Sequence, residues 1–155
     1  MSDYKSANVS KAFKLLCIIF SLFVISSCAR ITLEEQFLGM QVCKVENVYL
    51  DPVTKKPSGK YFVERKLNPC RVNEAAFYCV DDTFYGLVVT QIAIPYRGPF
   101  NVHAIYLKDR PNVVKAVLSS RFKNLDAINS GVSPVLIANP SDEGGSVFYC
   151  DIYSE

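Results

Sequence analysis

The chain has 155 residues, half of them apolar, with ten Phe and nine Tyr. That length suits one domain, and that composition can bury a core and excludes a disordered tail. A formal net charge of +2 excludes the strongly basic surface of a nucleic-acid binder, and one His with no Trp leaves little for catalysis.

The first element is a leader. Lys5, Lys11 and Lys14 outweigh Asp3, and Leu15 to Ala29 then carries no charge. As a helix this run would span roughly 22 Å, short of a bilayer core of about 30 Å, and it suits the apolar region of a secretory signal peptide. Its end is Ile25-Ser26-Ser27-Cys28. These four residues resemble the lipobox of bacterial lipoproteins: a branched apolar residue, two small ones, and the cysteine that is acylated. The resemblance implies a signal peptide over 1–27, removal of that leader, and acylation of Cys28. It also implies palmitate-type chains that hold the protein to a membrane. Ala29 rather than Asp after the cysteine resembles the pattern that directs lipoproteins to the outer membrane, facing the periplasm. A tether over 28–36 and a single domain over 37–155 are expected to follow.

Of the 17 basic and 15 acidic residues, three and one fall before Cys28, which leaves 14 of each. The balance hides an asymmetry. Lys55, Lys56, Lys60, Arg65, Lys66 and Arg71 face one acid, Glu64, between Pro52 and Asn73, whereas 124–155 carries five acids and no Lys or Arg. Such faces are usually just solvated. As a functional feature the basic one suits an acidic partner or anionic envelope polymers.

With Cys17 in the leader and Cys28 acylated, Cys43, Cys70, Cys79 and Cys150 remain. An even number in an exported protein argues for two disulfides, with three possible connectivities. No CxxC occurs, so neither a redox motif nor a structural zinc site is expected.

In the domain, Gln41–Leu50 alternates like a strand, Asp51-Pro52 breaks it, Lys56-Pro57-Ser58-Gly59 is a turn, and Tyr61-Phe62-Val63 resumes extended chain. That is a hairpin with a basic tip. It would place Cys43 and Cys70 on opposite legs and favour the pairs Cys43–Cys70 and Cys79–Cys150. Phe77–Cys79 and Phe148–Cys150, both Phe-Tyr-Cys, read as strands, as do 83–95 and 102–107. Asp109-Arg110-Pro111 starts a helix over about 111–123, with Val113, Val114, Val117, Leu118 and Phe122 as its apolar stripe. After a loop at 129–133, residues 134–138 and 146–152 close as two strands. The fold class is α+β: an antiparallel sheet of about six strands with one main helix on one face. The order of strand, turn and helix in VHAIYLKDRPNVVKAVLSSRF loosely resembles small envelope lipoproteins and inhibitor domains, at the level of fold alone.

Chemistry is sparse. The sequence holds no phosphate-binding glycine loop, HExxH or GxSxG. Asp81 and Asp82 are adjacent and would point to opposite faces of a strand. Asp142-Glu143-Gly144-Gly145 reads as an acidic turn rather than a calcium site. His103 is the one candidate base and lies in a strand, where a structural role is the ordinary one. No cofactor and no metal are expected. The expected function is therefore a non-enzymatic binding module, of the kind an inhibitor or immunity protein against an envelope-directed hydrolase or toxin would be. A structural lipoprotein of an envelope assembly is the alternative. The partners are the lipid bilayer through Cys28 and an envelope protein, with Lys55, Lys56, Lys60 and Arg97 as contact residues.

Overall fold

The computed structural model describes residues 30–97, 102–122 and 133–150. Its elements belong to the unit Ile31–Glu155. The leader, Cys28, residues 98–101, the end of the expected helix at 123, most of the expected loop at 129–133, and residues 151–152 lie outside the described residues.

Six strands, β1 (Arg71–Val72), β2 (Ala75–Phe84), β3 (Leu87–Pro95), β4 (His103–Leu107), β5 (Val135–Ala138) and β6 (Ser146–Cys150), form one sheet. It is antiparallel throughout, in the order β1-β2-β3-β4-β6-β5. The main helix, α3, covers Pro111–Arg121, so the fold is α+β as the sequence pattern requires. Short helices α1 (Leu33–Gln36) and α2 (Lys60–Glu64) complete the set.

Residue alternation sorts the sheet into two faces. Tyr78, Phe84, Ile92, Ile94, Ile105 and Phe148 enter the main core, where they meet Phe37, Phe62, Val114, Leu118 and Phe122. A one-residue register shift between Val89 and Gln91 lets Leu87 and Val89 share this face with Ile92 and Ile94. A second cluster has Ala93, Ala104 and Val147 at its centre, with the half-buried rings of Phe77, Tyr106 and Tyr149 packed on them. Helix α3 begins with Pro111 in its first turn and ends with Arg121 in its last, where a cation suits the negative end of the helix dipole. Its buried stripe is narrower than expected: Val114, Leu118 and Phe122 are inside, Val117 is half-buried and Val113 is exposed.

Three local expectations are corrected. Residues 41–50 form no strand. A 3-10 turn, Met40–Val42, is followed by irregular chain in which Leu50 alone makes bridges, to Pro57 and Tyr96. Gly39 starts this turn at φ +99°, and a Cβ there would collide with the Lys44 carbonyl, so the tight reversal requires glycine. Tyr61-Phe62-Val63 is helical, in α2. Tyr61 and Phe62 are consecutive and both fully buried. A strand would send one of them to solvent, whereas a short helix turns both inward. Finally, 83–95 is not one strand. Tyr85 and Gly86, at φ +51° and +82°, make a two-residue turn that joins β2 to β3, with Phe84 opposite Leu87.

The four cysteines form two disulfides, but not the expected pairs. Cys43 joins Cys150, and Cys70 joins Cys79. The reason is the missing hairpin: with no strand at 41–50, Cys43 comes instead to the end of β6. Cys70 lies just before β1, whose partner is β2, and its N–H donates to Phe77 O at 2.8 Å.

The folded chain also starts before Phe37. Thr32 and Glu35 form a reciprocal capping box for α1, and Leu33 is buried, so packing begins inside the segment 28–36 expected as tether.

Candidate functional site

The basic segment expected as a hairpin tip is a closed loop. The loop at 51–57 is organised by Asp51, whose Oδ1 accepts from Val53 N–H (2.9 Å), Thr54 N–H (2.7 Å) and the Thr54 hydroxyl (3.0 Å). Those bonds, the Thr54 amide foremost, hold the carboxyl below its ordinary pKa, with a smaller contribution from the Arg97 cation. The loop closes through Lys55 N–H to Asp51 O and Asp51 N–H to Lys56 O. Lys55 itself sits at φ +57°.

Ser58 fastens this loop to the segment before it. Its hydroxyl donates to Asn47 O at 2.7 Å and accepts the Tyr49 N–H at 3.0 Å. The backbone of Leu50 then reaches across to the end of β3, receiving Arg97 N–H and donating to Pro95 O. Two tyrosines are thereby brought to one place, each beneath a cation. Lys55 Nζ lies 5.4 Å from the Tyr96 ring centre, and the Arg97 guanidinium 5.5 Å from that of Tyr49. Beside them is a cavity of about 360 Å³ lined by Val45, Glu46, Asn47, Val48, Tyr49, Tyr96 and Arg97.

Of the four contact residues read from the sequence, Lys55 and Arg97 lie over the two rings beside this cleft, and Lys56 is an exposed residue of the same loop as Lys55. Lys60 is not part of that loop, since it opens α2. The sequence reading missed Tyr49 and Tyr96. A usable signal was present: Tyr49 stands just before the run of Pro52, Lys55, Lys56 and Pro57, and Tyr96 stands between Pro95 and Arg97.

His103, the candidate base, is 2 % exposed. Its Nε2 donates to Val48 O at 2.7 Å and its ring meets Phe37 edge-on, so it supports the back of the cavity wall. Asp82 accepts from Tyr61 OH at 2.7 Å and pairs with Arg65 at 3.9 Å, while Asp81 is exposed. Asp142 Oδ1 accepts Gly144 N–H at 3.1 Å within the β5–β6 turn. Among the described residues no group of His, Cys, Asp and Glu is arranged to hold a metal ion.

The cleft presents two cations over aromatic faces and a hydrogen-bonded rim. Comparison with protein-family models, with curated proteins and with solved structures found no match.

Proposed function

We propose that this protein is a lipoprotein of the bacterial cell envelope, anchored through Cys28, whose domain acts by binding rather than by turnover. The contact surface is the cleft of Tyr49, Tyr96, Lys55, Lys56 and Arg97, and the partner is an acidic surface on an envelope protein, such as a hydrolase or toxin to be neutralised. One observation carries this reading: two cations stand over two tyrosine rings, Lys55 on the loop that Asp51 orders and Arg97 just after β3, which the Leu50 backbone ties to that loop. Pre-ordering lowers the entropic cost of contact. A cation over a ring contributes about 0.5–1 kcal/mol when exposed and about 2 when desolvated by a partner. The anchor rests on the resemblance of Ile25-Ser26-Ser27-Cys28 to a lipobox.

The test is a pull-down from envelope extract, with the chain labelled by palmitate. The triple variant Lys55→Glu, Lys56→Glu, Arg97→Glu should weaken capture at least tenfold and leave the remainder less sensitive to salt, since steering acts through exposed charge. Cys28→Ser should abolish the lipid label. Capture unchanged by charge reversal would overturn the binding site, and a persistent label would overturn the anchor. Co-purification of a whole membrane complex, instead of one soluble partner, would favour the structural alternative.

A further inference from the structure

We infer that the face of the domain formed by Ile31 and α2 is seated on the bilayer, against the anionic phosphate headgroups of the lipid layer that holds the anchor. The inference rests on acylation of Cys28 and adds the orientation of the domain to it.

The chain does not leave the domain as a loose end. Ile31 N–H donates to Glu64 Oε2 at 3.3 Å, and Ile31 C=O accepts from Arg65 Nη1 at 2.9 Å. Both arms come from the end of α2, so the backbone is gripped on two sides by consecutive residues. Arg65 is itself held, with its guanidinium 4.0 Å from the Tyr61 ring centre and its other nitrogen 3.9 Å from Asp82 on β2. One residue further, the capping box of Thr32 and Glu35 fixes the start of α1.

Only Ala29 and Arg30 separate this grip from Cys28. Three Cα-to-Cα steps span at most roughly 11 Å, even fully extended. An acylated Cys28 lies at the membrane surface, so Ile31 and its clamp cannot stand more than about that distance from it. The whole domain is then oriented by where Ile31 lies on it.

The surface at that place suits a headgroup layer. Lys60 and Lys66 are exposed on or just after α2, Arg30 is exposed beside Ile31, and Glu64 has its carboxylate turned to the Ile31 N–H. Between the two lysines Val63 is 55 % exposed, an apolar side chain of the kind that settles into an interface. Basic residues this close to an anionic leaflet are attracted to it over about a Debye length. The far side of the molecule is β5. Asp82 places α2 against β2, and β5 lies four strands away in the sheet, roughly 19 Å at the usual spacing.

The protein contains no Trp, so one introduced Trp reports without background. Val63→Trp and Ile137→Trp, the latter on β5 and 42 % exposed, are each prepared as the full lipidated chain. They are then reconstituted in vesicles of phosphatidylethanolamine and phosphatidylglycerol carrying lipid brominated near the headgroup. The Val63→Trp protein should lose most of its emission and shift to the blue, while Ile137→Trp keeps the emission it has in unbrominated vesicles. Intact mass on the same samples shows whether the lipid is present. Equal quenching at both positions, or none at 63, in protein whose mass includes the lipid would overturn the orientation and leave the anchor standing. A mass without lipid would overturn both.

Discussion

The bridge between Cys43 and Cys150 joins residues 107 apart in sequence, and both are buried. The bridge between Cys70 and Cys79 joins residues nine apart, both exposed, across strands that are already hydrogen-bonded to each other. The first connects the irregular chain after α1 to the last strand and lies within the main core. The second adds a staple to a ladder that exists without it. Two bonds of the same chemistry therefore do different work, and their surroundings decide which one the fold depends on.

The largest effect should come from breaking the long bridge. Chain entropy for a loop of that length suggests about 4–5 kcal/mol, so Cys43→Ala with Cys150→Ala should unfold at much lower urea, or fail to fold at 37 °C. Circular dichroism across a urea series measures it. For Cys70→Ala with Cys79→Ala the same account suggests only about 2–3 kcal/mol, with the native spectrum kept. A mild reductant should sharpen the contrast. Alkylation followed by mass spectrometry should find Cys70 and Cys79 modified first, in protein that is still folded. Equal rates at all four thiols would erase the distinction.

The smallest effect tests whether burial alone stabilises. Tyr78 is fully buried in the same core as the long bridge, yet its hydroxyl has no hydrogen-bond partner among the described residues. Tyr78→Phe should therefore raise stability, by about 1 kcal/mol. Burial pushes the Tyr78 phenol up to about 12. A raised folded pKa means that this group's contribution is complete below pH 10 and is lost as pH climbs from there toward 12. The wild-type protein should lose stability over that window, and the Phe variant should lose less of it, as seen in urea midpoints at alkaline pH.

The regular part of the fold was legible because its signals are local. Short apolar runs between turn residues marked β4, β5 and β6, and Pro111 with the spacing of Val114, Leu118 and Phe122 marked α3. The region from Gln41 to Val63 misled for a physical reason. Its apolar residues are placed to meet a core from irregular chain, and two of them, Tyr61 and Phe62, are adjacent. A period of two cannot be told from that by composition. The turn at Tyr85-Gly86 could have been found from its glycine, flanked as it is by apolar strand. Pairing of the cysteines depended on which segments become neighbours, so an error in one hairpin carried into both bridges. In the candidate site the cations were visible as a charge run, but not their seats: Tyr49 and Tyr96 meet through the single backbone bridge of Leu50, which no spacing rule encodes.

The long bridge also sets how the domain bears a mechanical load. Were the chain held at Cys28, as proposed, a partner pulling away would put tension on Ile31 first. The side-chain grip of Glu64 and Arg65 can yield, and residues 31 to 42 can then pay out, roughly 40 Å of extended chain. At Cys43 the payout stops, because the next link is covalent and leads to the end of β6. That strand lies inside the sheet, bonded to β4 on one side and β5 on the other, so further tension is shared along two rows of hydrogen bonds. The cleft of Tyr49 and Tyr96 lies beyond the stop, so tension along the backbone reaches it only through that bridge.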